Sequence, residues 1–300
     1  MEPSGVMIIN KPEGMTSHDV VNKMRRLFST RRIGHTGTLD PMATGVLVVL
    51  VGRAAKAAEY LSSDEKGYLA TLRLGTTYDT EDITGTPLSV SDDIPSEETV
   101  YATVNDFIGK ISQTPPMYSA LKVNGQKLCD LARKGIEIER EARTVTVFSI
   151  DAKKSELPTD YILSVKCSAG TYIRTLCADI GSALGCGGAM ATLCRTLAGG
   201  FSIENAHTLE ELEALPLEER FSLLIPTESL FYELSAVNLP TFYEKLCRNG
   251  CEIYLSKLRI SLKLGQRVRL CSQSGEFFAL GEVREFENGL AIKAIKLFDI

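Results

Sequence analysis

The sequence lacks the motifs by which many cofactor-dependent and metal-dependent proteins are recognised. It contains neither the phosphate loop G-x-x-x-x-G-K-[ST] nor the dinucleotide fingerprint G-x-G-x-x-G. None of its eight cysteines forms a C-x-x-C pair or lies at zinc-ligand spacing from one of the three histidines. We therefore expect no metal and no cofactor, and we expect the cysteines to be small core residues in a reducing compartment.

Long hydrophobic runs are also missing. The apolar run Val46–Val51 has six residues, far fewer than the roughly 20 of a membrane-spanning helix. The start, Met1-Glu2-Pro3-Ser4, has neither the basic nor the apolar region of a secretion signal. With 44% hydrophobic and 24% charged residues and no repeat, the composition is typical of a soluble globular protein. We expect a cytoplasmic protein without membrane contact.

An excess of basic residues is absent as well, since the net charge is -5. The charge is nevertheless segregated along the chain. Residues 20–35 contain five Lys or Arg and no acid, whereas residues 74–109 contain eight acids and no Lys or Arg. From residue 241 to 300 there are ten basic and seven acidic residues. A basic face for nucleic acid remains open, and a solvated surface charge is the alternative.

The chain is organised around one stretch, Arg31 to Gly52. Its first part contains three glycines and a proline and predicts a loop, and Val46–Val51 predicts a short buried strand. Asp40 lies in that loop, and catalytic groups are often found on loops that a rigid scaffold holds. An aspartate before a proline also commonly starts a turn, which is the alternative. Arg31, Arg32 and the glycines would suit a polyanion.

The segment G-H-T-G-T-L-D-P-M-A-T-G-V-L, residues 34–47, resembles the catalytic motif of the TruB family of pseudouridine synthases. That family isomerises uridine-55 in the T-loop of tRNA, and its catalytic aspartate matches Asp40. The opening segment N-K-P-E-G-M-T-S, residues 10–17, resembles the same family. The resemblance covers roughly residues 5–230 with several motifs in order.

A strand predicted over residues 66–75 bears the next matched position. Its side chains alternate, so Tyr68 shares a largely apolar face with Ala70 and Leu72. Without the resemblance, such a tyrosine would be read as a residue of the core or its rim. In the family, the tyrosine of K-x-Y stacks on the uracil and is the favoured acid/base group, and Tyr68 matches it.

A helix predicted from Ile173 and ended by Gly185 has Arg174 in its first turn, where the helix dipole disfavours a cation. A negative partner would offset this cost, and an exposed arginine is the alternative. The segment G-T-Y-I-R-T-L resembles the family motif whose arginine pairs with the catalytic aspartate. The resemblance thus pairs Arg174 with Asp40 and places Tyr172 and Leu193 at the pocket.

The resemblance also implies contacts with RNA. His35 would fill the space that an extruded uridine leaves. Residues 113–140 resemble the family's RNA-gripping insertion, with a Pro- and Gly-rich start, a helix predicted over 126–134 and several basic residues. The residues that would bind phosphate or the RNA backbone are Lys11, Arg31, Arg32 and Lys122.

Three positions depart from the family pattern. Cys129 stands where relatives usually have tyrosine, Ala189 where they have histidine, and Cys194 where they have a second arginine. These changes concern RNA contacts rather than the chemistry. Asp82 matches the aspartate of the family's T-D-T-x-D-x-x-G loop and is a further candidate.

We predict an α+β protein that contains a central mixed sheet and is divided into two domains. Residues 1–235 would form the pseudouridine synthase domain, and residues 236–300 a small β-barrel that resembles the family's PUA-like RNA-binding domain. The tail supports this with a helix that ends at Gly250 and short strands at 267–271, 277–283 and 290–297.

The expected reaction breaks the N1–C1′ bond of uridine, rotates the base and joins C5 to C1′, which needs no cofactor. Hydrolytic glycosidases normally use two carboxylates, whereas the central motif has one. Asp40 would act as nucleophile at C1′ or as base at C2′, with Arg174 keeping it ionised and Tyr68 relaying the C5 proton. We expect a monomer that acts on the tRNA T-arm without an obligate protein partner. A guide-RNA-dependent synthase subunit, a non-catalytic tRNA-binding or folding module, and uridine hydrolysis are the alternatives.

Overall fold

The computed structural model describes residues 3–61, 65–119, 121–123 and 125–298, without the side chains of Lys122, Lys127 and Cys129. Among these residues, nine strands form the main sheet: β1 (Gly5–Lys11), β2 (Ile33–His35), β3 (Thr44–Val51), β4 (Lys66–Leu74), β7 (Gly109–Gln113), β10 (Arg143–Lys154), β11 (Asp160–Cys167), β12 (Gly188–Ala198) and β13 (Phe201–Ser202). Their order is β1-β3-β12-β4-β11-β10-β7, with β2 beside β3 and β13 beside β12.

The β3 strand is the buried centre of this sheet. Seven of its eight residues are buried, as expected for an almost uninterrupted apolar sequence, TGVLVVLV. It pairs antiparallel with β1 and parallel with β12, so the sheet is mixed, as predicted. Gly45, with φ +97°, is needed here, because a Cβ atom would lie 2.2 Å from the carbonyl oxygen of Arg195.

The longer α-helices pack against one face of the sheet, and the other face is exposed at Leu69 and Ile162. The first helix, α1 (Ser17–Leu27), begins with a capping box between Thr16 and Asp19 and packs its apolar stripe into a core cluster with β1 and β3. The others in this part are α2 (Glu97–Asn105), α3 (Leu128–Ala132), α4 (Ile173–Ala183), α5 (Leu209–Ala214) and α6 (Leu217–Ser222), with 3-10 helices at Gly52–Tyr60, Ile203–Asn205 and Thr227–Phe231.

Helix α4 lies directly against β12. Its Gly181 approaches the start of that strand so closely that a Cβ atom would be 2.2 Å from the amide nitrogen of Gly188. This contact fixes the height of α4 over the sheet. Because Arg174 is in the first turn of α4, the same contact helps to set where that guanidinium lies.

The C-terminal part is a second, curled sheet. It contains β14 (Ala236–Asn238), β15 (Ile253–Tyr254), β16 (Arg267–Cys271), β17 (Phe277–Phe286) and β18 (Gly289–Leu297), with helices α7 (Thr241–Arg248) and α8 (Leu255–Leu258). The order β14-β16-β17-β18-β15 makes a half-barrel, which confirms the predicted small β unit. The boundary at residue 235 stays a prediction.

The two sheets share an apolar core. Phe231, which precedes the second sheet, lies 5.9 Å from Phe277 and 5.7 Å from Phe298 between ring centroids. Leu280 and Phe298 belong to the same core cluster as Val48 of β3. The second sheet is therefore packed onto the sheet that contains β3 rather than tethered to it.

Several predicted elements differ in the structure. The loop before β3 contains β2, because Ile33 and its neighbours pair with the end of β3. The loop over 77–85 begins with β5 (Thr76–Tyr78), which pairs with β6 (Pro87–Val90). The helix predicted over 126–134 is present but shorter: β8 (Lys122–Val123) and β9 (Gln126–Lys127) form a hairpin, and the five residues of α3 are helical.

Candidate active site

The loop that contains Asp40 is held by hydrogen bonds on both sides. The amide of Leu39 donates to the hydroxyl of Ser17 (2.8 Å), and that hydroxyl donates to the carbonyl of Leu39 (3.2 Å). The amide of Gly14 donates to the carbonyl of Pro41 (2.8 Å). The start of α1 and the turn after β1 thus fix the backbone on either side of Asp40.

Arg174 meets Asp40 above this loop. Nε of Arg174 lies 2.9 Å from Oδ2 of Asp40, and the two side chains are 5% and 36% exposed. The guanidinium also donates to the carbonyls of Thr80 (3.1 Å) and Tyr118 (2.7 Å). Arg174 thus has the negative partner that its place in the first turn of α4 required, and the pair brings together two predicted site residues.

A second carboxylate stands behind the pair. Oδ2 of Asp82 lies 3.9 Å from Nε of Arg174, and its Oδ1 accepts hydrogen bonds from Thr80 and Thr84. The preceding residue, Glu81, has φ +63°, and its carboxylate accepts a bond of 2.6 Å from Thr175 of α4. A non-glycine residue in this conformation stores strain, which the bonds around it maintain.

Arg195 is a site residue that the sequence reasoning missed. It is 3% exposed, and its guanidinium donates to the carbonyls of Val46 (2.7 Å) and Gly37 (3.1 Å) under the Asp40 loop. Burial lowers the pKa of Arg195, and Tyr68 opposes this effect. A signal was present, because alternation along Leu193-Cys194-Arg195 puts a cation on the buried face of a strand.

Two tyrosines and a leucine complete the cavity. Tyr68 is 9% exposed on β4, and burial raises its pKa. Tyr172 immediately precedes α4, and burial raises its pKa as well. With Leu193 they line a cavity of about 370 Å³ that also contains Asp40 and Arg174. The structure thus gathers five of the ten predicted residues in one place.

Four other predicted residues, Lys11, Arg31, Arg32 and His35, are not among the described residues that line the cavity. The prediction for Lys11 is corrected. Lys11 is 0% exposed, and its ammonium donates to the carbonyls of Pro12, Met15 and Pro41. In this structure Lys11 therefore stabilises the loop and is not exposed to bind phosphate. Arg31 and Arg32 are exposed ahead of the loop. His35 is half-buried, and burial lowers its pKa. The side chain of Lys122 is outside the described residues.

The structure also shows where the three residues that depart from the family pattern lie. Ala189 is fully buried in β12, so a side chain there does not face solvent. Cys194 is half-buried on the opposite side of that strand from Leu193. Cys129 is in α3, and its side chain is not described.

Within residues 3–61, 65–119, 121–123 and 125–298, no three His, Cys, Asp or Glu residues are grouped as a metal site would require. None of the helices in these ranges is long and apolar enough to cross a membrane.

Comparison with known proteins agrees with the motifs. The model of the TruB family pseudouridylate synthase (N terminal domain) matches residues 25–173, and that of the tRNA pseudouridylate synthase B C-terminal domain matches residues 174–232. A Clostridium kluyveri protein named tRNA pseudouridine synthase B is 44% identical over 299 residues, 98% of this chain and 99% of its own. A protein of that name from Alkaliphilus oremlandii is 43% identical over 98% of both chains.

A solved structure shares the fold. A chain in the crystal structure of a Cbf5-Nop10-Gar1 complex matches with a TM-score of 0.73 and 27% identity, over 98% of this chain and 84% of that one. The mixed sheet and the half-barrel are therefore those of a pseudouridine synthase. Within that class the chain belongs to the TruB family, which confirms the family predicted from the motifs.

Proposed function

We propose that this enzyme isomerises uridine-55 in the T-loop of tRNA to pseudouridine, with Asp40 as the catalytic residue. Relatives named tRNA pseudouridine synthase B, 43% and 44% identical over almost the whole chain, support tRNA as substrate. The observation that carries the proposal is the 2.9 Å contact between Asp40 and Arg174 at the wall of a cavity of about 370 Å³.

The composition of the cavity favours isomerisation over hydrolysis. Among the described residues that line it, Asp40 is the one acid. Hydrolytic glycosidases need a second carboxylate to protonate the leaving group or to activate water. With one carboxylate, Asp40 acts on the ribose as nucleophile at C1′ or as base at C2′. The base stays bound, turns and is recaptured through C5.

Tyr68 and Arg174 have separate tasks in this scheme. Arg174 orients the Asp40 carboxylate toward the ribose. Tyr68 stacks on the uracil, and because burial raises the pKa of its phenol, it stays protonated at neutral pH. After the new C5–C1′ bond has formed, the phenol oxygen takes the proton that leaves C5 while its own hydroxyl proton passes to water. N1, whose bond to C1′ is broken, takes a proton from water and becomes an N–H group. Tyr172 and Leu193 hold the base between them.

The target uridine must leave the folded T-loop to reach Asp40, at a cost on the order of a few kcal/mol. His35 is next to the cavity-lining residue Thr36 and would occupy the space the base leaves. Exposed Arg31 and Arg32 would neutralise phosphate beside it. The insertion, residues 113–140, would close on the RNA from the other side, since its Ser119 and Leu121 line the cavity.

The enzyme would act alone, as a monomer. A guide-RNA-dependent subunit is the second candidate, because the fold matches a chain of a Cbf5-Nop10-Gar1 complex. That chain is 27% identical, whereas the Clostridium kluyveri protein named tRNA pseudouridine synthase B is 44% identical and matches in length. We therefore favour a standalone enzyme on free tRNA.

The test measures tritium release from a [5-³H]uridine-labelled tRNA transcript by the purified protein without guide RNA or cofactor. Wild type should release tritium, and Asp40→Asn should bind the transcript without releasing it. A transcript with cytidine at position 55 tests the site. Asp151→Asn, which changes an exposed carboxylate of β10, is the matched control and should be active.

The outcomes separate the candidates. No release by wild type with tRNA still bound would point to the guided subunit or to a folding module. Release from the position-55 cytidine transcript would move the target to another uridine. Free uracil among the products would show hydrolysis.

A further inference from the structure

Gln113 is the last residue of β7, and the insertion begins immediately after it. Its side chain is 2% exposed, which is unusual for glutamine. The amide of Tyr172 donates to Oε1 of Gln113 (3.0 Å), and Nε2 of Gln113 donates to the carbonyl of Tyr172 (3.2 Å). The side chain thus pairs with one backbone unit as a neighbouring strand would.

The backbone of Tyr172 is a sensitive point of the site. Tyr172 is the N-cap residue of α4, a position where tyrosine offers no capping side chain. Its ring lines the cavity, and Arg174 follows two residues later. Whatever fixes the backbone of Tyr172 therefore fixes the cavity wall and the start of the helix that presents Arg174 to Asp40.

The insertion both starts and ends beside this point. Gln113 is the register partner of Arg143 on β10, so the chain between them leaves and returns at one place. The insertion also touches the catalytic ion pair directly, since the carbonyl of Tyr118 accepts from Arg174 (2.7 Å). A movement of the insertion on RNA binding would pull on the residues that define the cavity.

We propose that Gln113 is a positioning residue that holds the backbone of Tyr172, and through it Arg174, in place while the insertion closes on RNA. Gln113 does not touch the substrate. The inference rests on the proposed function for the roles of Arg174 and Asp40.

Gln113→Glu tests the two-point pairing. At high pH one carboxylate oxygen accepts a hydrogen bond from the Tyr172 amide. The other oxygen faces the Tyr172 carbonyl, and because both are acceptors, they form no hydrogen bond. When protonated, the acid donates to that carbonyl and restores both bonds with the shape of glutamine. Burial would raise the pKa of this carboxyl; of the charges that act on the neighbouring Tyr172, Arg143 and Arg174 would oppose the rise and Asp40 would add to it.

The measurement is the single-turnover rate of tritium release from labelled tRNA, from about pH 6 to about pH 8.5. Rates are expressed per tRNA-binding molecule and as a ratio to wild type at each pH, so unfolded protein and the titration of other groups cancel. Gln113→Leu removes both bonds at every pH. Ser112→Glu places the same charge one residue earlier, on the exposed side of β7, and is the matched control.

At high pH we expect Gln113→Glu to react about 10- to 100-fold more slowly than wild type, with tRNA affinity changed by less than about threefold. The ratio should recover as the pH falls, whereas that of Gln113→Leu should stay low and that of Ser112→Glu should stay near one. A Gln113→Glu ratio that is near one, or low but independent of pH, would overturn the inference. So would a defect in tRNA affinity alone. An inactive wild type would instead overturn the proposed function.

Discussion

Arg174→Met removes the guanidinium from the ion pair and keeps an apolar stem of similar length. In wild type this guanidinium contacts the Asp40 carboxylate at 2.9 Å and the carbonyls of Thr80 and Tyr118 at 3.1 and 2.7 Å. The variant leaves Asp40 unpaired and free to turn away from the ribose. We expect catalysis to fall while tRNA binding stays near wild type, because the exposed basic residues are unchanged.

The cost in folding stability follows from the burial of the two partners. Removing one member of a fully buried ion pair costs about 3–5 kcal/mol. Arg174 is 5% exposed, but Asp40 is 36% exposed, so water screens the pair in part and the cost should be about 3 kcal/mol. The rate falls for a different reason, because a reacting group misplaced by about 1 Å can lose about 100-fold in rate, and we expect a loss of about that size in the single-turnover rate.

Two further variants make this test specific. Arg174→Lys keeps the charge, but a single ammonium cannot reach Asp40 and both carbonyls, so a loss of about tenfold is expected. Arg73→Met breaks another ion pair of the same sheet, which Arg73 makes with Asp160 through bonds of 2.9 and 2.8 Å outside the cavity. That variant should lose stability and keep its rate per folded molecule. A rate for Arg174→Met within about threefold of wild type, beside an inactive Asp40→Asn, would refute the role assigned to the pair.

Three more predictions concern residues around the pair. Tyr68→Phe should keep tRNA affinity, because the ring still stacks on the base. The rate of tritium release should fall by about 100-fold, because the hydroxyl that transfers the C5 proton is missing. An unchanged rate would show that another group transfers this proton. Burial lowers the pKa of Lys11 from 10.5 to about 8, so the unfolded state binds more protons between these values. The free energy of unfolding of wild type should therefore rise relative to Lys11→Met as the pH increases from 8 to 10.5, measured by urea titration, and a fall would contradict the burial argument. Gly181→Ala should destabilise the fold by about 1–3 kcal/mol in the same titration, because its Cβ atom would overlap the backbone of Gly188, and wild-type stability would show that α4 can lift off β12.

The parts of the site that are local in sequence could be predicted. Asp40 lies in a glycine-rich loop followed at once by an apolar strand, and Arg174 stands in the first turn of a helix where a cation needs a partner. Each feature lies within about 20 consecutive residues, a range over which propensity and periodicity are informative. The family motifs then joined them, and the 2.9 Å contact agrees with that pairing.

The parts of the site that depend on distant strands could not be predicted from the sequence. β12 contains two register shifts and a mixture of small, polar and apolar residues, so its alternation is weak, yet it lies between β3 and β4 at the centre of the sheet. Its Arg195 reaches Val46, 149 residues earlier in the chain. Likewise Lys11 looked like a surface cation in its own segment, and only the return of Pro41 past it buries its ammonium.

These buried cations explain how a loop with several glycines can hold the Asp40 carboxylate in one place. Lys11 donates to the carbonyl of Pro41, Arg195 to that of Gly37, and Arg174 binds the Asp40 side chain, so three separate elements, β1, β12 and α4, hold five consecutive residues. Lys11 donates to backbone carbonyls, and Arg195 binds backbone carbonyls and the Tyr68 hydroxyl, whereas Arg174 contacts the Asp40 carboxylate itself. Substituting Lys11 or Arg195 should therefore displace the whole loop and lower stability and rate together, whereas substituting Arg174 should lower the rate even when it is expressed per folded molecule.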